Sequence, residues 1–173
     1  FYSDAVNTLI VHADGAVEGD NTDGTGLVTD LRQNLRTRLA GTRILILGAG
    51  GATRGIVPAL FDTNPRDILV ANRTLDRAKE LARDFRMLGK ILACQFQELG
   101  GQRFDLVINA TSAGLKGELP PFPASILGPD GDVEGVIYIY RDVTELRELE
   151  QQIIHAEKLA TLGPRGANPR IQK

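Results

Sequence analysis

Two short segments of this chain carry residue types suited to holding a phosphate-bearing ligand. The first is Gly48-Ala49-Gly50-Gly51-Ala52-Thr53-Arg54-Gly55, directly behind the apolar run Ile44-Leu45-Ile46-Leu47. A buried strand that runs into a glycine turn and then a helix brings backbone N–H groups close to a pyrophosphate, whose charge rests on the helix start. Gly50 is expected to lie against that pyrophosphate, with no room for a Cβ. The second segment is Asn72-Arg73-Thr74, behind the run Ile68-Leu69-Val70-Ala71, with Arg77 one helical turn on. Asn72 lies 24 residues after Gly48, roughly where a dinucleotide fold reads the adenine ribose. A carboxylate there accepts from a 2′-hydroxyl, whereas arginines hold a 2′-phosphate through paired hydrogen bonds. The two segments together predict NADP as cofactor, in preference to NAD. Solvated arginines on a helix start are the plain alternative, but cations are disfavoured there unless an anion is near.

These segments need a sheet edge to hold them, and the apolar pattern supplies one. A strand over 44–47, a helix over about 52–62, a strand over 67–71, a helix over about 75–88, a weaker strand over 91–94 and a strong strand over 105–110 alternate in order. That order predicts an α/β fold, a Rossmann-like doubly wound parallel sheet with helices on both faces. Ahead of it, strand-like runs over 4–11 and 16–19 flank the turn His12-Ala13-Asp14-Gly15. Asn21-Thr22-Asp23-Gly24-Thr25-Gly26 reads as a polar loop. Leu27, Val28, Leu31, Leu35 and Leu39 then follow helical spacing up to Gly41. Behind the sheet, residues 136–140 alternate as a strand. Residues 143–163 read as a C-terminal helix with a seam of Leu146, Leu149, Ile153, Ala156 and Ala160. That seam must pack on its own sheet or pair with a second copy, and a homodimer is the favoured expectation. The tail 164–173 reads as unstructured.

The chain has 173 residues, 42% of them hydrophobic and 24% charged, enough for one packed domain and a short appendage. Its net charge of −2 argues against a nucleic-acid partner held by overall charge. One cysteine, Cys94, excludes an internal disulfide and a cysteine-rich metal site, so no metal is expected. No apolar run approaches the roughly 20 residues of a membrane span, and a cytoplasmic setting is expected. The chain begins at Phe1 and its one methionine is Met87, as in a fragment of a longer protein.

Taken in order, Ala5-Val6-Asn7-Thr8-Leu9, Gly19-Asp20-Asn21-Thr22-Asp23-Gly24, Gly48-Ala49-Gly50-Gly51-Ala52, Asn72-Arg73-Thr74 and Asn109-Ala110-Thr111-Ser112-Ala113-Gly114-Leu115 resemble the motifs of shikimate dehydrogenases over residues 4–128. The resemblance implies NADPH-dependent reduction of 3-dehydroshikimate to shikimate. It assigns substrate contacts to Asn7 and Asp23, with Asp23 also in proton transfer beside a lysine. It assigns the pyrophosphate to Gly48, Ala49, Gly50, Gly51 and Ala52. The 2′-phosphate goes to Asn72, Arg73, Thr74 and Arg77, and the nicotinamide side to Ala110, Thr111 and Ser112. By itself, Asp23 in such a loop reads as a turn former or helix cap. Ser112 has no histidine placed to activate it, and a backbone or cap role suits it better.

Two departures qualify the resemblance. The family's lysine is expected upstream of Asn7, yet no lysine precedes Lys79. The likeness is also expected to stop near Pro129. Residues 131–163 instead resemble the closing strand of a PAS domain and the signalling helix of sensor histidine kinases, which would make the chain a join of two families. His155 has no phospho-acceptor motif around it and reads as a helix-surface residue. The expected organisation is residues 1–26 as a remnant of a substrate domain, 27–142 as the NADP-binding domain, 143–163 as the helix and 164–173 as the tail. An impaired dehydrogenase and a non-catalytic dinucleotide-binding module both fit this pattern, and so does a chimeric fusion. Shikimate and quinate are not distinguished.

Overall fold

The computed structural model describes residues 5–111, 126 and 136–138. An antiparallel hairpin of β1 (Thr8–Val11) and β2 (Val17–Asp20) comes first, with Thr8 opposite Asp20 and Val11 opposite Val17. Then follow α1 (Asp23–Gln33), β3 (Arg43–Leu47), α2 (Gly51–Phe61), β4 (Asp67–Ala71), α3 (Leu75–Phe85), β5 (Ile91–Cys94), a 3-10 turn over Phe96–Leu99, β6 (Leu106–Asn109) and β7 (Val136–Tyr138). The last five strands form one parallel sheet in the order β5-β4-β3-β6-β7. The order reverses between β3 and β6, and a crevice opens at such a switch point, outside the carboxyl ends of the strands.

Alternation along the strands divides the core. Ile44, Ile46, Ile68, Val70, Leu106 and Ile108 face one side and bury Leu31, Ile56, Val57, Leu60, Leu81 and Phe85 from the three helices. Leu45, Leu47, Leu69 and Val107 face the other side, where Phe96, Leu99, Phe104 and Ile126 cover them. Among the described residues, α1, α2 and α3 thus share one face, and a 3-10 turn and loop side chains close the second. The expected helices on both faces are confined to one within this part of the chain. The described strand β7 pairs parallel with β6, continuing the sheet where residues 136–140 were expected to do so.

The first helix departs from its sequence reading. It begins at Asp23 rather than Leu27, because Asp23 supplies an acid to its first turn and Gly24 is buried against α2. A Cβ on Gly24 would lie 2.8 Å from both Ala59 Cβ and Gly55 O, so the two helices approach at a contact only glycine permits. The helix also stops early. Thr37 N donates to Leu31 O, and Arg36 takes φ 53. Leu35 is therefore exposed while Leu39 reaches the core from irregular chain, despite their helical spacing. The helix expected over 143–163, its seam, His155, the tail and Ser112 lie outside the described residues.

Candidate active site

Backbone bonds carry the sheet one residue past its strands at the carboxyl edge. Gly48 N donates to Ala71 O (2.8 Å), Ala110 N to Leu47 O (2.9 Å) and Asn72 N to Cys94 O (3.1 Å). Gly48, Asn72 and Ala110 are thereby fixed side by side at the switch point. Gly48 holds φ +103, and a Cβ there would sit 2.9 Å from Ala110 O. This position demands glycine twice, for its dihedral and for its space. At Gly50 and Gly51 a Cβ would meet none of the described residues within 4 Å. Within the chain itself, the tight backbone approach is at Gly48. Among the described residues, the space beside Gly50 and Gly51 is open.

The turn passes into α2 with Gly50 as N-cap in extended backbone, and the first helical bond is Arg54 N to Gly50 O at 3.1 Å. Helix geometry leaves the N–H groups of Gly51, Ala52 and Thr53 without intrahelical acceptors. Thr53 is buried and donates its hydroxyl to Gly48 O at 2.7 Å, locking the turn to the helix it opens. No acidic side chain occupies the first turn of α2, although α1 and α3 carry Asp23 and Asp76 in theirs. A helix start with free donors and no acid of its own is suited to an external anion.

One strand over, Asn72 folds its amide onto Thr74 O at 2.9 Å and steadies the turn into α3. Arg73, Thr74 and Arg77 are exposed. Arg73 and Arg77 have no hydrogen-bond or ion-pair partner among the described residues. On the other flank of the switch point, Asn109 is buried at the end of β6. Its Oδ1 accepts from Thr111 Oγ1 (2.7 Å) and Thr111 N (3.1 Å), which fixes the backbone of Ala110 and Thr111.

The hairpin and the start of α1 build a second cluster. Asn7 Nδ2 donates to Asp23 Oδ1 at 2.7 Å, and Asn7 Oδ1 accepts from Thr8 Oγ1 (2.9 Å) and Thr22 N (3.1 Å). The two residues assigned to substrate thus meet across a gap of 16 positions, both exposed. Asn21 holds them together. Its Nδ2 donates to Ala5 O (2.9 Å) and its Oδ1 accepts from Asp23 N (3.0 Å). Its side chain also fills the space a Cβ on Gly55 would need, 2.6 Å from Asn21 Nδ2, so it seats this loop on α2. Sequence reasoning passed over Asn21 and Thr53. Their signal was position alone, beside Asp23 and Gly55 in the two motifs.

Comparison with known proteins bears on these clusters. Residues 30–116 match the family model described as shikimate / quinate 5-dehydrogenase. The chain is 49% identical over 160 residues to the NADP(+) shikimate dehydrogenase of Methylococcus capsulatus, covering 91% of this chain and 57% of that protein. Among solved structures, an Ael1 enzyme from Pseudomonas putida superposes with a TM-score of 0.67 at 39% identity, over 73% of this chain and 46% of that one. Shikimate dehydrogenase from Aquifex aeolicus gives 0.63 at 29% identity, over 86% and 53%. The chain spans about half the length of the curated relatives it matches. A likeness ending at Pro129 could cover at most about three-quarters of the 173 residues, less than the 91% observed. The match therefore runs on past Pro129, and β7 continues the same sheet. The expected likeness of residues 131–163 to a PAS domain and kinase helix is dropped, and the chimeric join with it. Nothing in these comparisons supports the homodimer expected through that segment.

Proposed function

The chain belongs to the shikimate / quinate 5-dehydrogenase family, and from that premise we propose that it binds NADP(H) as the cofactor domain of a shikimate dehydrogenase. In this reading residues 27–142 hold the dinucleotide, and residues 1–26 are the edge of a substrate-binding part. The observation that carries the reading is an acid-free glycine turn beside Arg73, just past the neighbouring strand, and Arg77, on the helix after it, neither arginine having a partner among the described residues. The residues present fit the cofactor. The N–H groups of Gly51 and Ala52 suit a pyrophosphate, with Gly48, Ala49 and Gly50 shaping the approach. Arg73 and Arg77 suit a 2′-phosphate, and Asn72 and Thr74 set their base. Ala110 and Thr111 border the nicotinamide side in this reading, and Ser112 follows them in sequence.

When bound, NADPH supplies a hydride to a carbonyl carbon. The chain must then deliver a proton to the developing alkoxide oxygen. In this reading Asp23 takes part in that transfer and orients the substrate hydroxyl, and its hydrogen bond from Asn7 supports the role. Asn7 donates to one of its oxygens and leaves the other for substrate. Asn7 acts here as an orienting group, since its own carbonyl is already taken by Thr8 and Thr22. The substrate in this reading is 3-dehydroshikimate or shikimate.

No lysine precedes Lys79, and Lys79 lies on α3, remote in sequence from Asp23. Catalytic groups that act as a unit forfeit most of their joint effect when one is missing. We therefore expect the 173-residue chain by itself to bind NADPH and turn over shikimate below detection. The check is NADPH fluorescence on binding, run beside NADP+ reduction with saturating shikimate. Binding without turnover supports the proposal. A shikimate-dependent rate of about 1–1000 per second would reveal another base, and absence of NADPH binding would remove the cofactor reading altogether.

A further inference from the structure

Arg54 stands in the first turn of α2, where a cation is unfavourable beside the positive end of the helix. Its guanidinium is turned sideways onto the neighbouring helix. Nη2 lies 2.8 Å from Asp84 Oδ2 on α3, with Arg54 only 19% exposed and Asp84 35%. The other oxygen of Asp84 is 4.0 Å from Arg83 Nε. Asp84 lies seven residues after Arg77 on the same helix. At 3.6 residues per turn that is close to two full turns, so the two side chains leave α3 along nearly the same line. A helix does not rotate at one end without rotating at the other. Holding Asp84 against the first turn of α2 therefore fixes the direction in which Arg77 is presented.

The geometry points to Arg54 and Asp84 as positioning residues for cofactor discrimination. Their ion pair ties the helix that opens at the glycine turn to the helix that carries Arg77, and so sets the spacing between the pyrophosphate and 2′-phosphate subsites. This inference rests on the dinucleotide reading above. It assigns neither residue a contact with the ligand. It assigns them the rotation of α3, which matters for NADPH and not for NADH, since NADH has no 2′-phosphate to meet.

The test is direct titration of NADPH and NADH against the whole chain and its Asp84→Asn and Asp84→Glu variants, with thermal melting of each. Asp84→Asn removes the charge at a half-exposed site and keeps the shape. The ratio of NADPH to NADH affinity should fall about threefold to tenfold, the size that residues off a ligand commonly contribute to coupling. NADH affinity should hold, and Asp84→Glu should restore the ratio. An unchanged ratio in Asp84→Asn, with or without a drop in melting temperature, would overturn the inference and leave the pair a structural tie. Equal loss for both cofactors would overturn it too. If the unmodified chain binds neither nucleotide, the dinucleotide reading itself is what fails.

Discussion

Strand β3 ends in two opposite ways. At its amino end, Arg43 is consumed by its surroundings. Nε pairs with Asp67 at 3.0 Å, Nη2 donates to Gln102 Oε1 at 2.8 Å, and the guanidinium lies 4.8 Å over the Phe104 ring. The backbone N of the same residue donates to Asp105 Oδ2 at 2.7 Å. Asp67, 4% exposed, also gathers Arg66 at 3.3 Å and Lys90 at 3.9 Å. At the carboxyl end, Gly48 leads into free helix donors, and Arg73 and Arg77 stand without partners among the described residues. One edge is closed by charge pairing and the other is left open. The same residue type serves structure where its hydrogen bonds are filled and recognition where they are not.

The largest effect is expected at the open edge. Gly50→Val should abolish NADPH binding, with a loss of over about a hundredfold, because the side chain fills the space beside the free N–H groups. Its melting temperature should stay near that of the unmodified chain, since a Cβ at Gly50 meets none of the described residues within 4 Å. Gly48→Val should lose both binding and stability, through φ +103 and the contact with Ala110 O. Isothermal titration and melting on the two variants separate these outcomes. If Gly50→Val binds normally, the open space is not the subsite.

Next in size is Arg73→Ala. Losing a phosphate–guanidinium contact costs about 1.5–3 kcal/mol, a drop in NADPH affinity of roughly tenfold to a hundredfold, with NADH unaffected. The matched change at the closed edge, Asp67→Asn, should do the reverse. It leaves Arg43 half-buried with its main partner neutralised, for a loss of roughly 2–3 kcal/mol in denaturant unfolding. The NADPH-to-NADH preference should not move. A shift in that preference would mean the two ends of β3 are not independent.

How much of this was legible follows from where the information lay. Strands over 67–71 and 91–94 match their expected bounds, because unbroken apolar runs between turn residues leave little choice. The glycine turn and the Asn72-Arg73-Thr74 element were legible as local motifs. The start of α1 was not. Asn21-Thr22-Asp23-Gly24 has loop composition, and only the close packing of Gly24 and Gly55, a contact between distant segments, makes it helical. Leu35 and Leu39 misled because irregular chain can deliver a residue to the core at helical spacing. The role of Asn21 depends on three partners at Ala5, Asp23 and Gly55, which no single window contains. The 3-10 turn over Phe96–Leu99 escaped notice for a similar reason, its reciprocal cap between Gln95 and Glu98 being visible only in three dimensions.

The smallest effect concerns Cys94, at the carboxyl end of β5. Burial, with a lesser contribution from the Glu98 charge, pushes its thiol from 9.0 up to about 11. The folded state keeps that proton where the unfolded chain loses it. The associated stability is therefore fully present below pH 9.0 and is lost as pH rises towards about 11. Cys94→Ala should flatten that part of the pH–stability profile, and native-state thiol labelling near pH 8 should be slow. Rapid labelling of the folded chain would contradict the burial that shapes this corner of the sheet.

The central claim is that the open carboxyl edge is built for a dinucleotide bearing a 2′-phosphate, and one measurement meets it directly. NADPH and NADH are titrated in parallel against the purified 173-residue chain at one salt concentration. The account predicts NADPH binding tighter by roughly tenfold to a hundredfold. Equal affinities would show that Arg73 and Arg77 are solvated charges, and would contradict it.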